Sequence, residues 1–152
     1  MKIIIDTREQ APYQFLKNAI QTERAALPCG DYSLAGFADK IAVERKTLDD
    51  LIGCLMGKDR DRFERELARA GCYERFAVVI EASLYDISAG RYRSDMKPHA
   101  ALQSITAFFI RYGIPFLFCG DRAGAEYLTF SILEKFAYEI HARLKLLTKS
   151  AA

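Results

Sequence analysis

The chain has 152 residues, 51% of them apolar, and four cysteines with no Cys-x-x-Cys pair and no histidine at ligand spacing. This length and composition suit one compact domain burying roughly 70% of its unfolded surface, and they leave no basis for a zinc site or a disulfide framework, so Cys29, Cys54, Cys72 and Cys119 are read as reduced core thiols. Lys and Arg number 22 against 20 Asp and Glu, a net charge of +2 too small to designate a nucleic-acid partner by bulk electrostatics, and no apolar run approaches the roughly 20 residues of a membrane span.

Residues 2–8, KIIIDTR, are β-branched and short, as expected of a buried strand whose C-terminal end turns polar. The stretch from Ala11 to Arg24 opens with Pro12 and has a loosely helical pattern. AALPCGDYSL and KIAVERK read as two strands of a hairpin, joined by a turn around Gly36 to Asp39. From Thr47 the period changes: Leu48, Leu51, Ile52 and Leu55 fall at i, i+3, i+4 and i+7, and Thr47 with Asp50 makes a capping box. A second helix is predicted over 59–70, with Phe63, Leu67 and Ala70 on one side, and FAVVIEA follows as another buried strand. Residues 84–98 have little periodicity and include Gly90 and Pro98, which predicts the longest loop and the best candidate for a mobile segment.

A helix from His99 to Tyr112 follows, with Ala101, Ile105, Phe108 and Phe109 inward and Gly113 closing it; IPFLFCG is the last strand. The final helix, Gly124 to Leu147, carries a stripe of Leu133, Phe136, Ile140, Leu144 and Leu147. Tyr127, Phe130 and Tyr138 widen its apolar surface beyond what one sheet face covers, which leaves open a core-packing helix and one that also serves a dimer interface.

The segment that carries chemistry is Gly30-Asp31, then Val43-Glu44-Arg45-Lys46, then Asp50. Alternate residues of a strand share a face, so Glu44 and Lys46 project together roughly 6.6 Å apart while Val43 and Arg45 point the other way. Asp31, on the partner strand of the hairpin, comes alongside Glu44 and completes a pair of carboxylates with an ammonium beside them. Two carboxylates forced together repel, and a hard divalent cation relieves the repulsion; with a nucleic-acid substrate that cation is Mg²⁺ or Mn²⁺. Such an ion polarises a phosphate and lowers the pKa of a bound water, and Lys46 stays protonated to orient the water and offset transition-state charge. This is the D-x(n)-E-x-K arrangement of metal-dependent nucleases.

The order Asp6-Thr7-Arg8-Glu9, Gly30-Asp31, Glu44-Arg45-Lys46, Asp50 resembles the nuclease domain of the XPF and Hef structure-specific endonucleases, within the restriction-endonuclease-like superfamily, whose signature is G-D-x(n)-E-R-K-x(3)-D after a D-x-R-E strand end. The resemblance continues through Arg62-Phe63, Glu66-Leu67, the strand ending at Glu81, the ALQSI helix and the GIPFLF strand. It implies an α/β fold, a three-layer α/β/α domain with a central mixed sheet flanked by helices. It also implies that Asp31 and Glu44 hold Mg²⁺ or Mn²⁺ with a backbone carbonyl, that of Arg45, and that Lys46 positions the water. Asp6 then lies near the metal as a ligand or as an acid just behind it, and Arg8, Glu9 and Asp50 orient neighbours or contact the substrate. Arg45 takes a structural role, pairing with Asp50 or Glu9. The activity implied is hydrolysis of branched DNA to a 5′ phosphate and a 3′ hydroxyl, by a homodimer or a pair with a related subunit.

Relatives commonly carry a helix-hairpin-helix module after this domain; the sequence reads as one nuclease domain over 1–152 without it, hence with weak intrinsic DNA affinity, in a soluble cytoplasmic protein. Arg91, Arg93 and Lys97 with Tyr92 form the candidate DNA contact of the long loop. Arg60, Arg62, Arg65 and Arg69 either track phosphates or, interleaved with Glu64 and Glu66, form a solvated mixed-charge face. Glu81 either joins the metal or caps the following turn, and neither His99 nor His141 stands as an acid–base residue. The rival reading from another class is a non-catalytic scaffold that keeps the fold to dimerise or to present DNA.

Overall fold

The computed structural model describes residues 1–15 and 20–150. Six strands form one mixed sheet in the order β2-β1-β3-β4-β5-β6: β1 (Lys2–Asp6), β2 (Gln21–Ala25), β3 (Tyr32–Leu34), β4 (Ile41–Lys46), β5 (Arg75–Ile80) and β6 (Phe116–Phe118). β3 runs antiparallel to both β1 and β4, while β1 with β2, β4 with β5, and β5 with β6 are parallel. Five strands therefore point one way and β3 the other. The C-terminal ends of β1, β4 and β5 and the N-terminal end of β3 consequently share one edge of the sheet, and Asp6, Glu9, Asp31 and Glu44 of the sequence signature lie at or just beyond those strand ends.

Strand alternation divides the core into two layers. Ala42, Phe76, Val78 and Ile80 pack with helices α1 (Leu48–Gly53), α2 (Gly57–Ala70), α3 (Leu84–Ser88) and α4 (Pro98–Tyr112). Ile3, Ile5, Tyr32, Ile41, Val43 and Val79 pack on the other face with Ala125, Phe130, Leu133 and Phe136 of α5 (Arg122–Ser150). This is the expected α/β/α sandwich, including the β3–β4 hairpin and the helix that starts after Lys46.

Three elements differ from expectation. No helix spans 11–24: Ala11–Phe15 is irregular, Tyr13 and Phe15 are buried, and β2 occupies Gln21–Ala25, while residues 16–19 lie outside the described residues. β2 was illegible because it is an edge strand whose first four side chains all face solvent, so no alternation marks it. The loop expected over 84–98 begins with helix α3, for which Ser83 and Asp86 form a reciprocal capping box. At five residues it is too short for a 3.6 period to emerge, and only Ile87 is buried. Lastly, the stripe of α5 divides: Leu133 and Phe136 are core, whereas Leu144 and Leu147 are exposed, because a 29-residue helix of about 43 Å outruns the sheet beneath it.

Candidate active site

Gly30 makes the approach of β3 to β4 possible. Its φ is +77°, and a Cβ there would lie 2.9 Å from Ala42 Cβ and 3.2 Å from the Val43 carbonyl oxygen, so only glycine fits without a shift. The next residue is thereby locked by main-chain bonds on both sides: Asp31 N–H donates to the Val43 carbonyl (2.9 Å), and the Asp31 carbonyl accepts from Asp6 N–H (2.8 Å). Its side chain is held as well, since Asp31 Oδ2 accepts the Arg45 N–H at 2.8 Å.

Glu44, 6% exposed, shares the α2 face of β4 with Ala42 and Lys46, as the strand period requires. Lys46 Nζ donates to Glu44 Oε1 at 2.5 Å and sits 5.2 Å from the centre of the Phe63 ring. Burial acts to lower the Lys46 pKa, but the Glu44 carboxylate outweighs it and holds the amine charged, above its ordinary value. Asp31 is pushed up to about 8, first by burial and then by the negative charge of Glu44. These are the two mutually repelling carboxylates that the sequence anticipated.

A further acid joins them. Glu66 of α2, which the sequence placed only as one of the acids interleaved with the α2 cations, lies against Glu44 and is pushed up to about 7 by burial and by that neighbour's charge. Its inward turn follows from the buried stripe: Phe63, Leu67 and Ala70 dock α2 on the sheet, and Glu66 is three residues beyond Phe63, on the flank of that stripe facing β4. Only the docking angle of the helix could reveal it.

The other signature residues brace the edge. Asp6 is buried, and its two oxygens accept four bonds: the Arg8 N–H (2.8 Å) and Nε (2.7 Å) on Oδ1, and the Leu27 N–H (2.7 Å) and Arg8 guanidinium (3.1 Å) on Oδ2. Burial raises the Asp6 pKa, yet these donors together prevail and hold it below the usual carboxylate range. A carboxylate offers about four lone-pair sites, so this arrangement favours Asp6 as the acid behind the site over Asp6 as a ligand. Arg45 lies with Val43 on the α5 face, where Nε and the terminal nitrogens clamp Glu81 (2.8 and 3.3 Å) and reach Glu9 Oε2 (3.5 Å). The expected Arg45–Glu9 pair is present, whereas Asp50 pairs instead with Thr47 Oγ1 (2.6 Å) and belongs to the α1 cap. Glu81 neither caps a turn nor joins the acids; it also accepts from Tyr13 Oη (3.1 Å) and Arg122 (2.9 Å), which ties α5 to the same edge. Glu9 completes this brace by accepting the Ala11 N–H at 2.7 Å.

The loop cations have partners that linear sequence could not show. Arg91 pairs with Asp86 (3.0 Å) and Arg93 with Asp49 (2.8 Å), and Tyr92 Oη donates to the Met96 carbonyl (2.7 Å). Lys97 is the N-cap residue of α4 and is exposed. Among the described residues, no three His, Cys, Asp or Glu side chains are already gathered into a metal cage. Mg²⁺ characteristically uses one or two carboxylates, with waters and substrate phosphates completing its shell. Asp31 and Glu44, hard oxygen donors that repel one another when empty, fit that requirement.

A family profile described as the ERCC4 domain matches residues 5–130. The chain is 28% identical over 135 residues to a protein of Methanocaldococcus jannaschii described as a putative ATP-dependent RNA helicase; the match covers 89% of this chain and 16% of that protein's length. Its fold superposes on XPF from Aeropyrum pernix in complex with DNA with a TM-score of 0.71 at 24% identity, covering 91% of this chain and 66% of that one. The same protein without DNA gives a TM-score of 0.70 at 22% identity, with 96% and 70% covered. The profile spans most of the chain and contains every position of the signature, and the sandwich is the XPF nuclease fold: the chain belongs to the ERCC4 domain family, the XPF-type nuclease-domain family.

Proposed function

We propose that this domain is an endonuclease that hydrolyses DNA phosphodiester bonds with Mg²⁺ or Mn²⁺. The observation that carries the reading is the meeting of Asp31, Glu44 and Lys46 at one sheet edge, with Asp31 pinned by the Arg45 N–H and Lys46 resting on Glu44. Asp31 and Glu44 would hold the ion, with the Arg45 carbonyl as a further oxygen donor, and Asp6 would stand behind them. When bound, the ion supplies charge neutralisation at the phosphate and acidifies a coordinated water.

Lys46, whose ammonium donates to Glu44 at this edge, would orient the attacking water and offset charge on the pentavalent phosphorus. Arg8, Glu9, Arg45 and Asp50 keep the strand ends in register, as their bonds to Asp6, Ala11, Glu81 and Thr47 indicate. Cleavage leaves a 5′ phosphate and a 3′ hydroxyl. The preferred substrate is branched DNA near single-strand to double-strand junctions. Residues 1–152 act as one nuclease domain, as a homodimer or paired with a related subunit; Phe109 of α4, expected inward but exposed beside Ile110, and the exposed Tyr127 and Tyr138 of α5 support an interface. Arg91, Tyr92 and Arg93 contribute to DNA contact only where substrate displaces their present partners, whereas Lys97 stands exposed at the start of α4.

The test is incubation of the purified protein with flap, fork, splayed-arm and linear duplex DNAs under Mg²⁺, Mn²⁺ or EDTA, beside Lys46→Ala. Metal-dependent cutting of branched DNA that the variant loses supports the reading; equal cutting by the variant identifies a contaminant and removes it. Ligand saturation at 100 Kd stabilises a fold by about 2.7 kcal/mol. Mn²⁺ should therefore raise the melting temperature, and Glu44→Ala should abolish the rise, whereas a non-catalytic scaffold would show no metal-dependent rise to lose.

A further inference from the structure

Helix α2 carries nine charged residues whose grouping its linear sequence obscures, because cations and acids alternate along it. The fold separates them. Arg60 turns toward α4, donating to Glu64 (2.9 Å) and Ser104 (3.2 Å), and Glu64 is engaged further by Arg111 (2.8 Å) and Tyr112 (3.1 Å). Glu66 turns to Glu44.

Lys58, Arg62, Arg65 and Arg69 remain, at spacings of four, three and four residues, all exposed. Such a row occupies about 60° of the helix circumference at 3.6 residues per turn and about 17 Å of its length. Lys58, Arg65 and Arg69 make no ion pair among the described residues; Arg62 has only Asp59, at 3.8 Å, with both side chains mostly in solvent. An ion pair that long and wet is readily exchanged for a phosphate.

The row borders the acidic site. On a helical projection Glu66 lies between it and the buried Phe63–Leu67 stripe, and the charge of Arg69 reaches both Glu66 and Cys29, while that of Arg62 reaches Cys54 beside Lys46. A strand of B-DNA places a phosphate about every 3.4 Å of axis, so the row spans about five nucleotide steps.

We propose that Lys58, Arg62, Arg65 and Arg69 form a track for the phosphate backbone of DNA leading into the acidic edge, in place of the loop cations already paired with Asp49 and Asp86. The track rests on the nuclease reading only for its destination; its grip is independent of metal and of chemistry.

The test is anisotropy titration of labelled flap DNA with the full chain in EDTA, from 50 to 200 mM salt, for wild type, Arg62→Ala/Arg65→Ala/Arg69→Ala, and a control triple on α5, Arg143→Ala/Lys145→Ala/Lys149→Ala. Each lost phosphate contact lowers the slope of log affinity against log salt by about 0.9. The α2 variant should therefore lose about 2.7 of slope, so wild type weakens about 40-fold more than it does across that range; the control should match wild type. If the triple variant has no thermal transition, the single Arg65→Ala and Arg69→Ala variants should each lose about 0.9. An unchanged slope, or the same drop in the control, overturns the track. Binding that depends on α2 in a protein that never cuts DNA refutes the nuclease reading alone, and normal cutting with an unchanged slope refutes the track alone.

Discussion

Replacing Gly30 by alanine perturbs the one backbone position on which the meeting of β3 and β4 depends. The new Cβ would be 2.9 Å from Ala42 Cβ, 3.2 Å from the Val43 oxygen and 3.3 Å from Phe76 Cε2, at a φ of +77°. Left-handed backbone costs a non-glycine residue about 1–2 kcal/mol, and forcing a methyl into a packed core costs about 1–3 kcal/mol more. Neither the backbone oxygen nor the Ala42 methyl can swing aside, so a loss of about 2–5 kcal/mol is expected. For a domain of this size that is a fall of roughly 4–20 °C in melting temperature at 2–4 °C per kcal/mol. The strain falls on Asp31, the next residue, whose N–H and C=O join β4 and β1. Displacing the partners that orient a ligand typically weakens metal affinity by about 10–100-fold, and Mn²⁺ should stabilise the variant correspondingly less. The assay is a thermal melt in EDTA and across a Mn²⁺ titration. A melting temperature within 2 °C of wild type, with full Mn²⁺ stabilisation, would refute the steric reasoning.

Metal-free protein should become more stable as pH falls from about 8 towards 5: Asp31 is raised to about 8 in the fold from 3.8 in the unfolded chain, the native state holds the extra proton in that window, and stability drops as pH rises by up to about 1.4 kcal/mol per unit. Urea titrations in EDTA measure this, and Asp31→Asn should flatten the profile; an equally steep profile in that variant would contradict the assignment. Arg45→Met leaves buried Glu9 and Glu81 short of a cation, their side chains 6% and 9% exposed, and should cost about 3–5 kcal/mol by chemical denaturation; a loss under 1 kcal/mol would show that Arg122 alone satisfies Glu81. Thr47→Ala removes the α1 cap and should cost about 1 kcal/mol while leaving Mn²⁺ stabilisation intact, since Thr47 and Asp50 serve the helix end; a selective loss of metal response would place that end in the metal site instead.

The position of Asp31 beside Glu44 and Lys46 was legible in the sequence because each step is local: a hairpin brings neighbouring segments together, and a period of two puts Glu44 and Lys46 on one face and Arg45 on the other. Local capping chemistry likewise announced the start of α1, and the signature order pointed to the family before any coordinate did. Tertiary structure alone decided the partners reached across the fold. Arg45 chose Glu81 as its main partner because parallel β5 ends beside β4, and Arg122 joined them because α5 begins over the same edge. Glu66 became a site acid, and the row of Lys58, Arg62, Arg65 and Arg69 came to border it while Arg60 turned to α4, through the angle at which α2 docks. Arg91 and Arg93 were tied up by Asp86 and Asp49, one on a short helix and the other 44 residues away. A sequence specifies which groups share a face of one element; which face meets which neighbour depends on how whole layers pack, and that information is distributed over the core.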